Sequence, residues 1–580
     1  MRTRKTRTAF SPVLAAAAAA MIAGIACLGA APSALAAPPP VEKPSEDKWF
    51  HATSEHLDVY SDQKADDTQY RTAAVEDLRY FLEAYMPTRT NAAAEPPLKV
   101  YFLDSRYWLM LVRPDLAFYA DGVYFGCREG VSLYSAAEPN VRAKSYRDQD
   151  QSQLITFHEY THHVMFHNTS GAFPKWYIEG LADYYSTLEY DGDTAVIGEV
   201  PWGDNAILNR VNWSHFETVL DPDNHMGTGL VKSSADLEIF YAKAWLLTHY
   251  MMSDADHQAQ LKDYFERLSK GEKPVPAFEA STGIKINDLP GILRTYSRAM
   301  KMQVVKAHRE LAPVTMEPMD RVAPAYLLLG SAFATCPEPK LGQTFLKVLK
   351  QAVLTPTDSK KAAAETEQDK ADRSALAANL DYKLAVAYGE LLYGDPEVSL
   401  ALLNGIGPED SHYGRAQYLL GRLYLKRAAG QNGDPRQQTL VQARDALTLA
   451  LKATPGDPPT EYFLAHTYEN ASDRPSAEAV HWAEAAYDGA PSVYDYAEYA
   501  ADVALLQNRP DDAATFVASF ATDPHSPKRN GPVTDALAAI KAGKPGGEII
   551  ALLKKAEAGD EDAPDAGSNA GPNSDKNSHE

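Results

Sequence analysis

The chain has 580 residues, 45% of them hydrophobic and 10% aromatic, which is ample for two or more domains with sizeable cores. Its 78 acidic against 56 basic side chains give a net charge of −22, and this excludes a phosphate backbone as the main partner, because nucleic-acid binding rests on clustered Lys and Arg. Three cysteines, none in a CxxC or CxxxC pair, exclude a disulfide scaffold and a finger-type structural zinc.

Residues 1–36 read as a secretory signal peptide. Arg2, Arg4, Lys5 and Arg7 precede an apolar run from Val13 to Ala31, and Ala34-Leu35-Ala36 supplies a small-x-small cleavage site. The rival readings are a retained anchor, for which the alanine-rich run is weakly hydrophobic, and a lipoprotein at Cys27, which lacks the usual leucine three residues before it. Cleavage would remove four basic and no acidic groups, leaving 52 against 78, a net −26. No later stretch has the apolar length needed to span a bilayer, so the mature chain is expected to be exported, periplasmic or extracellular. Its two remaining cysteines, Cys127 and Cys336, read as isolated core thiols in preference to a disulfide.

From about Lys48 to Leu311 strand and helix patterns mix. Residues 56–61 and 98–103 alternate or run apolar as strands do, with a helical stretch over 70–85 between them. Residues 122–135 read as a hairpin or a bent edge strand. Helices dominate after that, and from Pro324 onward almost everything is helical and rich in Ala, Leu and Tyr. The charged stretch 357–374 reads as an exposed loop or a solvated helix. Residues 556–580 are expected to form a disordered tail, since from Gly559 on no large apolar group is present.

The helical half has an internal period. Leu420-Gly421-x-x-Tyr424 is followed by Ala443, Leu447, Ala450 and Pro455; Leu464-Ala465-x-x-Tyr468 is followed by Ala479, Ala483, Ala486 and Pro491; a weaker copy runs through Ala500 and Phe516 to Pro524. Leu384-Ala385-x-x-Tyr388 with Pro408 reads as an upstream copy, and Leu329-Gly330-x-x-Phe333 as an atypical first one. This spacing of small and aromatic residues resembles tetratricopeptide helix pairs, in which small residues let two helices approach closely. The plainer alternative is an irregular helical bundle.

The chemistry lies in residues 154–186. His158 and His162, four apart in an apolar helical stretch, share one helix face and can ligate one metal ion. Glu159 stands beside them, placed to take a proton from a water without ligating the metal. A first helix ending near His167 and a second starting at Pro174 make an antiparallel pair in which His162 and Glu179 come level. Glu179 would then complete a His, His, Glu set with an open fourth position. One turn further out, Asp183 comes level with His158 and can accept its other ring N–H. His163 reads as packing or hydrogen bonding, and His167 has no assignment.

His158-Glu159-Tyr160-Thr161-His162 followed by Trp176-Tyr177-Ile178-Glu179-Gly180-Leu181-Ala182-Asp183-Tyr184 resembles the gluzincin metallopeptidases, the thermolysin-like and aminopeptidase-like clan. The resemblance implies Zn2+ held by His158, His162 and Glu179. Sixteen residues separate His162 from Glu179, fewer than in the best-known members, which marks a divergent branch. Tyr241, in Tyr241-Ala242-Lys243-Ala244, is similar to the tyrosine that steadies the oxyanion in the aminopeptidase-like members; the alternative is a core aromatic, and His249 is a weaker donor candidate. Residues 122–134 match the clan's cleft-edge strand, where substrate adds as a further strand, and lack the G-x-M-E-N run that holds a free amino terminus, which favours endopeptidase action. A plain sheet edge is the other reading.

These observations predict a signal peptide (1–36), an α+β zincin-like metallopeptidase domain (37–315), an all-α tetratricopeptide-like repeat domain (320–545) and the tail. The expected activity is zinc-dependent peptide hydrolysis, with a peptide or protein substrate and a protein partner on the repeats. A catalytically idle repeat scaffold and a zinc amidase acting on cell-wall peptide are the alternatives.

Overall fold

The computed structural model describes residues 49–560 apart from 87–94, 115–120, 137–150, 170, 192, 202–203, 205–206, 210–212, 214, 223–233, 308–311, 356–364, 469–474 and 524–526. The expected signal peptide, Cys27 and everything past Asp560 lie outside the described residues. Among those described, no helix is long and apolar enough to cross a membrane.

The chain is mostly helical with a small mixed sheet in its first part. Strands β1 (Phe50–Thr53), β2 (Leu57–Ser61), β3 (Leu98–Leu103), β4 (Gly122–Cys127) and β5 (Gly130–Ala136) are followed by β6 (Glu189–Asp191), β7 (Thr194–Ile197), β8 (Gln303–Lys306) and β9 (Thr315–Pro318). The main sheet has six strands in the order β4-β5-β3-β2-β1-β9, and β6-β7-β8 form a second, three-stranded one. Strands β2, β3 and β5 are parallel, in the register Val59 to Val100 to Leu133. Strand β4 folds back antiparallel on β5 and is the sheet edge.

Helix α1 (Ala65–Tyr85) crosses between β2 and β3, and α2 (Arg106–Val112) follows β3. Next come α3 (Gln151–Asn168), α4 (Lys175–Ser186), α5 (Glu217–Leu220), α6 (Ser234–Met251), α7 (Ala255–Ser269), α8 (Pro274–Thr282) and α9 (Leu289–Tyr296). The period-2 alternation divides the sheet's side chains between two cores. Leu57, Val59, Val100, Phe102 and Leu133 pack on Leu78 and Phe81 of α1 and on Phe157, Tyr160 and Val164 of α3. The opposite face carries His51, Tyr60, Tyr101 and Tyr134, stacked in turn across four strands at 4.9, 5.4 and 4.6 Å between ring centroids.

That second face is covered by the helical half. Its helices are α10 (Pro324–Phe333), α11 (Pro339–Gln351), α12 (Glu367–Ala378), α13 (Leu380–Tyr393), α14 (Pro396–Leu403), α15 (Tyr413–Ala429), α16 (Gly433–Ala453), α17 (Pro458–His466), α18 (Ala477–Gly489), α19 (Tyr494–Leu506), α20 (Pro510–Val517), α21 (Pro527–Lys541) and α22 (Gly546–Asp560). Prolines open α10, α11, α14, α17 and α20, where a missing N–H costs nothing. Helices α13 and α14, α15 and α16, α17 and α18, and α19 and α20 pack as consecutive pairs. Gly421 lets α15 meet α16: a Cβ there would lie 2.5 Å from Leu447 Cγ. One apolar cluster joins Tyr101, Leu103 and Tyr134 of the sheet to Leu329, Phe333, Tyr388 and Leu419 of the helices.

Three sequence expectations change. Cys127 and Cys336 are not isolated thiols. They form a disulfide with a Cα separation of 6.4 Å, because α10 packs across the sheet and carries Cys336 to the end of β4. Helix α22 continues to Asp560, into the segment expected to be tail, because Ala556 is the next buried position on the stripe begun by Ile549 and Leu553. Strand β9 pairs with β1, so the sheet extends past residue 315 to Pro318. Of the charged stretch, residues 367–374 form the exposed start of α12, held by a Thr366–Asp369 capping box, and 357–364 lie outside the described residues.

Candidate metal centre

Helix α3 is fixed on the sheet by a buried arginine from α1. Arg71 donates to the Ser152 carbonyl (3.2 Å), to Thr156 Oγ1 (2.7 Å) and to Ser135 Oγ (3.1 Å), and lies 4.2 Å over the Phe102 ring. With Phe157, Tyr160 and Val164 committed to the sheet, the face of α3 that carries His158 and His162 meets α4. Helix α4 begins after Pro174, whose carbonyl accepts from the Tyr177 and Ile178 amides. Helix α6 backs α4 at Gly180: a Cβ there would lie 2.5 Å from the Ala244 carbonyl oxygen and closer still to Thr248 Oγ1. Only glycine permits that approach, directly beside Glu179.

The two helices bring His158, His162 and Glu179 together, all buried. His158 Nε2 and His162 Nε2 are 3.0 Å apart, and Glu179 Oε2 is 3.4 Å from the first and 3.5 Å from the second. A tetrahedral ion with bonds of about 2.0–2.1 Å separates its ligand atoms by roughly 3.3 Å. The triangle of donors therefore fits such an ion, and two imidazoles with one carboxylate make a donor set that suits zinc. His158 turns Nε2 to the cluster because its Nδ1 is bonded to Asp183 Oδ1 at 2.6 Å. Burial alone would push the His158 imidazole down, but Asp183, Glu179 and Glu159 together hold it well above its ordinary value.

Glu159 is buried beside the cluster and outside it, and its Oε2 accepts the backbone N–H of Tyr124 on the edge strand at 2.9 Å. Tyr241 is buried on α6, one turn before Ala244, on the helix that backs α4 at Gly180. His249 belongs to packing: Nδ1 meets Tyr296 Oη at 2.7 Å, and burial pushes its imidazole down to about 4.

Three contributors carried no sequence signal. Glu95, directly before Pro96 and Pro97, lies 2.5 Å from His163 Nε2, 3.7 Å from His167 Nε2 and 2.8 Å from Arg79. Burial opposes its charge, but His163, His167 and Arg79 beside it hold its carboxyl well below the usual range. Tyr124 joins His163 Nδ1 (3.1 Å) to Ser492 Oγ in the helical half (2.6 Å). Asp204 is buried near Asp183, and burial followed by that charge raises its carboxyl well above normal. Comparison with family models, curated proteins and solved structures returns no match to this chain.

Proposed function

We propose that the chain is an exported zinc-dependent metallopeptidase of the gluzincin type, with a tetratricopeptide-like array as its second half. The observation that carries the reading is the convergence of His158, His162 and Glu179 on one point, with Glu159 beside them and Asp183 behind His158. Zinc, when bound, would polarise the scissile carbonyl and make a water more acidic. Glu159 is the proton carrier: its carboxylate takes the proton of the attacking water and returns it to the leaving amine nitrogen. Asp183 keeps the His158 tautomer that presents Nε2. Tyr241 is the candidate donor to the carbonyl oxygen as negative charge develops there. Strand β4, at the sheet edge beside Glu159, offers its backbone to an extended peptide substrate.

The test is direct. Purified protein should hold about one zinc per chain, and Glu159→Gln should keep that zinc while abolishing cleavage of casein. Zinc retention with no hydrolysis of casein or of a broad peptide library by the wild type would replace this reading with the idle scaffold. Absence of zinc, with His158→Ala folded and unchanged, would end the metal hypothesis.

A further inference from the structure

The first helices of the pairs in the helical array meet the chain's own edge hairpin. Between β4 and β5 the chain turns at Arg128 and Glu129, with Gly130 at φ 110°, a conformation open to glycine. Glu129 is buried against the array. Its Oε1 accepts from Arg422 Nη2 at 2.6 Å, a second bond joins Arg422 Nη1 to Oε2, and Tyr388 Oη donates to Oε2 at 2.5 Å. Arg422 lies 4.2 Å over the Phe463 ring. Tyr496 Oη donates to the Arg128 carbonyl at 3.0 Å, Cys127 is bonded to Cys336, and Tyr124 meets Ser492.

Tyr388, Arg422 and Tyr496 lie on α13, α15 and α19, α17 brings Phe463 against Arg422 and Pro459 against Gly130, and Cys336 and Ser492 lie just after α10 and just before α19. Each of α13, α15, α17 and α19 is the first of its pair, so one side of the array is spent on one turn of chain. A buried, bidentate ion pair is costly to desolvate and is retained where it fixes one arrangement. What it fixes here is β4, whose Tyr124 amide is bonded to Glu159.

We infer that the side of the array built from these first helices is an intramolecular receptor for the β4–β5 turn, and that Arg422 is a positioning residue that acts through this turn on the strand bonded to Glu159. The effect on catalysis rests on the metallopeptidase reading; the receptor itself does not.

The experiment uses the full chain and follows hydrogen exchange of residues 122–136, with residues 57–61 and 98–103 as reference strands. Arg422→Met and Glu129→Gln should each speed exchange in the hairpin about tenfold and leave the reference strands unchanged. Arg422→Lys should recover part of the protection. With zinc content unchanged, kcat for casein should fall about tenfold in Arg422→Met, with KM changing less. Should Arg422→Met not fold, the combined Tyr388→Phe and Tyr496→Phe variant removes only hydroxyls and should still speed hairpin exchange selectively. Unchanged exchange in the hairpin, or equal acceleration in all strands, overturns the inference. A wild type without zinc or hydrolysis refutes the peptidase reading, and the exchange data still decide on the receptor.

Discussion

Replacing Gly180 by alanine puts a methyl group where α6 already stands. The added Cβ would lie 2.5 Å from the Ala244 carbonyl oxygen, against an ordinary contact of 3.4 Å or more. Thr248 can rotate its hydroxyl away, but a helix carbonyl cannot move alone. Helix α6 or α4 has to retreat by roughly 1 Å, and overpacking of this kind costs about 1–3 kcal/mol. Glu179 is the adjacent residue, and a metal site tolerates displacements of only about 0.5 Å. Gly180→Ala should therefore lower the urea midpoint of the metal-free protein and weaken zinc binding by about tenfold or more, read by competition with a chromophoric chelator. Gly291→Ala, on α9 with nothing within 4 Å of the new Cβ, is the control and should leave both unchanged or slightly raise stability. Wild-type midpoint and zinc affinity in Gly180→Ala would refute the close-packing argument.

Asp183→Asn should weaken zinc binding by about 10–100-fold in the same competition assay, because the bond that orients His158 loses its charge. Stability should also fall as pH rises. Burial, with the charges of Asp502 and Glu557, lifts the Glu498 carboxyl to about 8, and burial lifts Asp502 to about 7. Both hold protons in the folded chain to a higher pH than when unfolded, so the stability they confer is complete below about pH 4 and lost as pH climbs through 7 and 8. Urea midpoints between pH 4 and 9 should show that decline, flattened in the Glu498→Gln, Asp502→Asn variant. Thiol titration of the denatured chain should detect neither Cys127 nor Cys336 until a reductant is added. Replacing both by alanine should cost about 2–4 kcal/mol of stability by urea unfolding.

The elements of the centre were legible because helical periodicity is local. Four-residue spacing puts His158 and His162 on one face, and counting outward from the 168–173 turn brings Glu179 and Asp183 level with them. The strand over 98–103 was legible for the same reason, as a short apolar run bounded by turn residues. Pairings across long separations were not. Nothing near Cys127 points to Cys336, 209 residues on, nor near Glu129 to Arg422. Glu95 has no periodic neighbours and acquires its meaning only from His163 and His167. The shared core was hidden too, because the aromatics of β2, β3 and β5 read equally well as solvated or covered until α10 lies on them.

The pairing of β9 with β1 bears on the order in which the molecule can be made. The first strand has no outer neighbour until Thr315–Pro318 has emerged, and the edge hairpin has no receptor until Tyr388, Arg422 and Tyr496 have followed. Contacts between such distant segments form late. A chain delivered from its N-terminus carries His158, His162 and Glu179 well before it carries the groups that hold β4. Seating of that strand is thereby tied to completion of the chain, and a truncated or stalled product would carry the three candidate ligands and β4 without the groups that hold β4 in place.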